Sequence, residues 1–137
     1  MLDRMVGTYG MLLVFFIFFF GACACMGMIG QWCTVQDQAQ FVAMSEGRYG
    51  GYTTDAETSM DQFCQYDHLD RSDVAVQVSA PGAPVPWGTP VTAEVTVPYQ
   101  FQVGSLLSFT VPITGVGRSV SSYIPDTYDV SYTTPAA

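Results

Sequence analysis

Ten consecutive apolar residues, Met11-Leu-Leu-Val-Phe-Phe-Ile-Phe-Phe-Phe20, decide the fold of this chain. They lie in a gap without charged side chains that extends from Arg4 to Asp37, and the apolar character continues through Ile29. An apolar segment of this length is typical of a helix that crosses a bilayer. It suits the dry centre of a helical polymer equally well, because both environments exclude water from its side chains.

The helical pattern continues beyond the apolar segment. Apolar residues recur there at three- and four-residue steps, with Gln and Asp between them: Trp32, Val35, Ala39, Val42 and Ala43. One helix is therefore predicted from residue 1 to about residue 46, ended by Gly47 and the Gly50-Gly51 pair. At 1.5 Å per residue it would be about 65–70 Å long. A bilayer core is about 30 Å thick, so the second half of the helix is expected to leave the membrane.

The remainder of the chain predicts a small α+β domain. Thr54-Asp-Ala-Glu57 matches the capping-box pattern and starts a short helix over 54–66. Residues alternating between apolar and polar predict strands within 74–120, the longest pattern extending from Val91 to Phe101. Pro98 and Pro112 each remove a ladder donor and are expected at an edge or a bulge.

The predicted fold class is α+β: a long N-terminal helix with an apolar first half, packed against a small antiparallel β-meander with one short extra helix. Residues 1–31 are predicted to form the apolar helix, either within a membrane or at the centre of a filament. Residues 32–137 form the exterior domain, with the amphipathic helix continuation at 32–46, the short helix at 54–66, the β-sheet at 74–120 and an extended tail at 121–137.

The charge excludes one class of partner. Twelve acidic residues stand against four basic ones, giving a net charge of -8. A surface of this kind cannot supply the basic patch that binds phosphates, so direct contact with nucleic acid is not expected. His68 between Asp67 and Asp70 could in principle hold a metal ion, but a solvated loop is the favoured interpretation. No catalytic arrangement and no cofactor are predicted, and the chain is not expected to be an enzyme.

The four cysteines divide into two pairs. Cys23 and Cys25 lie in the apolar segment and are interpreted as small packing residues. Cys33 and Cys64 fall in the part expected outside the membrane, where an oxidising compartment favours a disulfide between them. The alternative is two unrelated buried thiols.

Three interpretations of the apolar segment compete. A secretory or lipoprotein signal is disfavoured, because Asp3 accompanies Arg4 at the front and Phe20-Gly-Ala-Cys23 matches a lipoprotein box only loosely. A monomeric membrane- or lipid-anchored surface domain that binds a partner fits the composition. A pilin, held in the membrane and then polymerised through the same apolar helix, also accounts for the continuation of the helix into the domain.

Two motifs carry a family resemblance. Gln40-Phe-Val-Ala-Met-Ser-Glu-Gly-Arg-Tyr-Gly-Gly-Tyr52 is similar to the helix-end region of TadE-like (tight-adherence) small pilins of Gram-positive bacteria, which are related to type IV pilins. Val91-Thr-Ala-Glu-Val-Thr-Val-Pro-Tyr99 resembles a strand of that family, and 109–116 its return strand. The resemblance implies an extracellular filament on the bacterial surface, built from copies of one chain. It also implies storage in the cytoplasmic membrane, a prepilin peptidase and pilus assembly machinery.

The sequence departs from that family at one position. Mature pilins typically carry a glutamate at position 5, which pairs with the N-terminal amine of a neighbour, whereas this chain has Met5. Asp3 is the only early acid and is predicted to take the pairing role, with Arg4 as a further partner. The other predicted assembly residues are the aromatic ones of the apolar segment: Phe15, Phe16, Phe18, Phe19 and Phe20.

Overall fold

The computed structural model describes residues 1–82 and 84–136 and has the predicted α+β architecture. The elements are the helices α1 (Leu2–Tyr49) and α2 (Thr54–Tyr66), a 3-10 turn (Arg71–Asp73), and the strands β1 (Ala75–Val78), β2 (Pro90–Val103) and β3 (Leu107–Val120). The chain divides into two compact units, Met1–Gly30 and Gln31–Ala137. The boundary falls one residue before the predicted one.

The first unit is the apolar part of α1. Its large apolar side chains are almost all exposed, as expected of a helix that has no water-facing side. α1 is long and apolar enough to cross a membrane. In water this surface would be unfavourable, so residues 1–30 need an apolar environment.

The second unit holds the hydrophobic core. The amphipathic part of α1 contributes one apolar face, and α2 and the sheet contribute the others. The fully buried members of that helix face are Val35, Ala39, Val42 and Ala43. The inner face of α2 carries Met60 and Cys64, which are buried, and Phe63, which is partly buried.

The sheet is the predicted antiparallel meander in the order β1-β2-β3. Side chains alternate along β2, with Val91, Ala93, Val95 and Val97 buried and the residues between them exposed or partly so. Pro98 and Pro112 are cross-strand partners. The Val116 N–H donates to Gln36 and so points away from its cross-strand partner Glu94. Backbone direction alternates along a strand, so the Pro98–Pro112 pair, four positions away, has the same orientation, and both proline nitrogens point away from the β2–β3 ladder. Neither proline therefore removes a hydrogen bond from that ladder.

Glycines bring β3 into close contact with α1. A Cβ atom on Gly115 would lie 2.7 Å from the carbonyl oxygen of Val35, and one on Gly117 would overlap the carbonyl group of Ala39. Gly47 has a similar role, because a Cβ atom there would lie 2.5 Å from Ser119 Oγ. Of the glycines predicted to end α1, Gly50 is confirmed, because it follows the last helical residue, Tyr49, with φ of 77°, whereas Gly47 lies within the helix.

The start of α2 differs from the predicted capping box by one residue. Thr53 is the N-cap, and its hydroxyl accepts a hydrogen bond from the backbone N–H of Ala56 at 3.2 Å. Because the helix starts one residue earlier than the box requires, Glu57 does not return to the cap and is free to bind elsewhere.

The C-terminal tail is extended and packs on its own domain. Tyr132 forms an isolated antiparallel bridge with Thr53, and its hydroxyl donates to the carbonyl oxygen of Tyr49 at 2.6 Å. The Tyr128 and Tyr49 rings meet edge-on, with centroids 5.3 Å apart. The tail thus fixes the segment between α1 and α2.

Candidate assembly surfaces

The predicted assembly phenylalanines all lie exposed in the unit of residues 1–30. Phe15 stacks on Phe19 and Phe16 on Phe20, with ring centroids 6.4 Å and 6.3 Å apart. These contacts are between neighbouring turns of one helix and leave the outer faces of the rings uncovered. Phe18 is the most exposed of the five, at 74%. The structure therefore places the five residues on an open apolar surface and leaves its partner to be inferred.

Asp3 and Arg4 lie exposed in the first turn of α1. The carbonyl oxygen of Arg4 accepts a hydrogen bond from Thr8 Oγ1 at 2.8 Å. Within residues 1–82 and 84–136, the ion pairs are those of Arg71 with Glu57 and Asp61. A pairing role for Asp3 would thus be fulfilled by another copy, and it stays a prediction.

The predicted Cys33–Cys64 disulfide is not formed. All four cysteines are free thiols, with Cys33 exposed and Cys64 buried. The reason is angular: Cys33 precedes the buried Val35 by two residues, or about 200° around a helix, so it faces away from the core. Cys64 lies on the inner face of α2, where burial raises the pKa of its thiol.

A glutamine pair joins α1 to the outer edge of β3. Gln36 donates through Nε2 to the carbonyl oxygen of Val116 at 2.7 Å and accepts from the Val116 N–H at 3.1 Å. Gln40 repeats this with Arg118, at 3.1 Å and 3.3 Å. The two side-chain amides thus occupy the backbone groups that an added strand would use, which protects this edge from pairing with another chain.

Two acidic side chains hold the second unit together from within. Glu57 accepts hydrogen bonds from Tyr52 Oη at 2.6 Å and from Arg71 Nη2 at 2.9 Å. Burial of the Tyr52 side chain and its hydrogen bond to Glu57 raise the pKa of Tyr52. Glu46 is buried, and its Oε1 accepts from the Ala80 N–H at 2.6 Å and from Ser79 Oγ at 3.3 Å. These contacts fasten α1 and α2 to the segments that flank β1, which is a structural role.

A second exposed apolar surface lies on the outer side of α1, in the second unit. It is the groove lined by Phe41, Met44, Ser45, Arg48 and Tyr49, here called the Phe41 groove. Phe41 is 50% exposed and Met44 60% exposed. These side chains occur at helical spacing on the face opposite the core, so the apolar outer face of α1 does not end with residue 30.

The loop that carries His68 forms a polar cleft with Asp67, Asp70, Asp73 and Gln31. The described part of the chain contains no group of three or more His, Cys, Asp or Glu residues able to hold a metal ion. Hydrogen bonds from the Ser72 backbone and side chain hold the pKa of Asp70 below its usual value.

No family model, curated protein or solved structure matches this chain. The likeness to TadE-like pilins therefore rests on its two short motifs alone.

Sequence patterns did not identify every residue that matters here. The pattern of α1 identifies Gln36, Gln40 and Glu46 only as polar residues between the apolar ones. Gln36 and Gln40 are four residues apart, so both side-chain amides lie along the same border of the buried helix face. This spacing is the sequence signal for a shared partner.

Proposed function

We propose that this chain is a structural pilin subunit that polymerises through its apolar N-terminal helix into an extracellular filament. The observation that carries the proposal is the exposed apolar surface of residues 1–30, on a helix whose other half forms part of a domain core. Such a surface needs either lipid or other copies of itself. A subunit that uses both in turn is stored in the cytoplasmic membrane and then transferred to a filament centre.

The energetics of that transfer favour a filament that persists. Lipid chains and a packed protein interior are similarly apolar, so exchanging one for the other leaves the hydrophobic free energy nearly balanced. Return to water is opposed, because about 25 cal/mol is lost for each Å² of apolar surface exposed. Transfer from the membrane to the filament would thus have only a small equilibrium cost of this kind, and the subunits would resist dissociation afterwards.

Glycines in the first unit support packing between copies. An added Cβ atom on Gly7, Gly10 or Gly21 would meet nothing within 4 Å in the single chain. Each glycine lowers helix stability by about 1 kcal/mol relative to alanine, so none is explained by the helix alone. At about 100° per residue the three lie within an arc of about 60°, where small residues allow another helix to approach closely.

The Phe41 groove agrees with a polymer, because Phe41 and Met44 give the second unit a further exposed apolar surface. An anchored domain that binds a partner would use such a groove as well, so the groove does not separate the two functions. In a filament this outer side of α1 would face neighbouring subunits. The acidic domain would form the solvated coat on the bacterial surface, and the resemblance supplies a prepilin peptidase and assembly machinery as partners.

The test is negative-stain microscopy of sheared surface material from cells that produce the chain, with mass analysis of the subunits. Wild type and Phe18→Leu are expected to give uniform filaments that contain this chain. Phe18→Asp is expected to give none, because a charge would be buried without a partner in the filament core. Since Phe18 lies outside the domain core, the Phe18→Asp variant should keep the same protease-resistant domain as the wild type.

The outcomes separate the two functions. Absence of filaments from the wild type, with single copies in the membrane, would favour the alternative of a monomeric membrane- or lipid-anchored surface domain that binds a partner. Acylation of Cys23 or Cys25 in such monomers would identify the lipid-anchored form.

A further inference from the structure

The tip of the β2–β3 hairpin exposes apolar side chains at its turn. Residues 101–109, here called the hairpin tip, include Leu106 at 92% exposure, Leu107 at 55% and Phe109 at 37%. The Phe109 ring packs against Phe101 across the strands, with centroids 5.2 Å apart. The turn itself is closed by Gly104 with φ of 56° and by a hydrogen bond from the Leu106 N–H to the Val103 carbonyl. The tip is thus an ordered, apolar projection of the second unit.

The hairpin is also free of charge over a long stretch. No Asp, Glu, Lys or Arg occurs between Glu94 and Arg118. Elsewhere the second unit is rich in acidic residues, so this gap is a local property of the hairpin. A solvated loop has no need to avoid charge, whereas a loop that enters an apolar layer does.

Contacts within the second unit fix where the tip lies. Gln36 binds Val116 and Gln40 binds Arg118, so α1 and β3 run in the same direction. Gln31 lines one cleft together with Pro98, Tyr99 and Gln100, which places it near the Tyr99 level of β2. Beyond Tyr99 the strand continues for four residues to Val103, or about 13 Å at 3.3 Å per residue. The tip therefore extends past Gln31, at the end of this unit to which residues 1–30 are joined.

We propose that the hairpin tip inserts into the interfacial layer of the bilayer in which residues 1–30 are stored. This inference rests on the membrane-stored state of the proposed function. When residues 1–30 are in the membrane, Gln31 is the first residue of the second unit, and the chain connection keeps the end of the unit that carries Gln31 near the lipid surface. Leu106, Leu107 and Phe109 then reach the boundary between headgroups and acyl chains.

The interfacial layer fits the chemistry of the turn better than the hydrocarbon core. The turn leaves backbone polar groups without partners in the sheet, and these require water or headgroups. Its leucines gain from contact with the acyl chains. Trp32, half exposed and next to Gln31, is of the residue type that concentrates at this same depth.

The acidic cleft at the same end selects the kind of lipid. Asp67, Asp70 and Asp73 line one cleft with Gln31, so this end of the unit is acidic. Anionic headgroups would repel them, so a zwitterionic surface is the occupant that the tip fits. Phosphatidylcholine vesicles are therefore the appropriate probe.

Nitroxide spin labels at three positions test the insertion. In the full chain, the native cysteines are replaced by alanine and a label is placed at 18, 106 or 87. Trp87 is a matched control, because it is also an exposed apolar side chain but precedes the opposite end of β2. In phosphatidylcholine vesicles with few copies each, labels at 18 and 106 are expected to collide with oxygen and to lose collisions with a water-soluble nickel chelate. The label at 87 is expected to show the reverse.

Each outcome decides the proposal. A nickel-accessible label at 106 with a protected label at 18 would overturn the insertion and leave membrane storage intact. Accessible labels at both positions would overturn the storage as well. If the label at 106 is protected from the nickel chelate but loses this protection when the protein is diluted with lipid, a second copy of the chain covers the tip. That result would also overturn the insertion. Leu107→Asp is expected to restore nickel collisions at 106, and full protection in that variant would contradict an apolar anchor.

Discussion

At the scale of single residues, glycine determines how closely the sheet approaches the helix. Gly117 faces the backbone of α1, where a Cβ atom would overlap the carbonyl group of Ala39. Gly117→Ala is expected to lower the free energy of unfolding of the domain by about 1–3 kcal/mol, because helix and strand must separate. The measurement is denaturant unfolding in micelles, followed by the fluorescence of Trp32 and Trp87.

Gly10→Ala is the matched control for that variant. It makes the same chemical change in open space, since nothing lies within 4 Å of a Cβ atom at Gly10. The tryptophan-detected transition of the domain should be unchanged. Equal effects of the two variants would contradict a steric role for Gly117.

The thiols of Cys33 and Cys64 differ in exposure, and this difference is measurable. Cys64 is buried, and burial raises its pKa, so its reactive thiolate is suppressed. In mildly alkaline buffer, iodoacetamide is expected to modify Cys33 in the native chain and Cys64 only after denaturant is added, as peptide masses would show. A Cys33–Cys64 bridge formed by mild oxidation of the folded chain would contradict this arrangement.

The role of Asp3 is the residue-scale prediction that depends on the filament. An Asp3→Ala variant should give less filament, because the N-terminal amine of a neighbour would be buried without its counter-charge. Asp3→Glu keeps the charge and is expected to retain assembly. Filament yield from sheared cells is the measurement, and a normal yield from Asp3→Ala would rule out the pairing role without affecting the proposed function.

At the scale of elements, the edge of β3 depends on a helix rather than on another strand. Replacing both Gln36 and Gln40 by Leu removes the partners of the Val116 and Arg118 backbone groups. Hydrogen exchange of these two amides should accelerate about tenfold, since each bond contributes about 0.5–1.5 kcal/mol.

The exposed Gln62→Leu on α2 is the control for that pair and should leave both amides protected. Unchanged exchange in the double variant would show that the edge is protected in some other way. Increased aggregation of the double variant would agree with an uncovered strand edge.

The elements could be predicted from sequence because each has a regular pattern. The alternation in β2 and the three- and four-residue steps of α1 arise from burial of one face, so they report the core directly. The glutamine contacts could not be predicted, because Gln36 looks solvent-facing until the position of β3 is known. The prediction of a Cys33–Cys64 disulfide failed for a related reason. A shared redox compartment does not determine which face of its helix each cysteine occupies.

At the scale of the whole molecule, the two units differ in what stabilises them. Every member of the core cluster lies between Val35 and Ile113, in the second unit. The first unit has no share in that cluster, and its exposed apolar residues depend on an environment outside the chain. Folding of the domain should therefore be separable from membrane storage and from assembly.

A fragment of residues 31–137 tests this separation. It is expected to be soluble, folded and unable to form filaments, with the same tryptophan-detected unfolding midpoint as the full chain in micelles. Solubility follows because the removed residues carry the largest exposed apolar surface, while the acidic domain keeps eleven of the twelve acids, all except Asp3. Circular dichroism, sedimentation and denaturant unfolding are the measurements. An unfolded fragment would show that residues 1–30 stabilise the core, and filaments grown from the fragment would place the assembly surface in the domain instead of in α1.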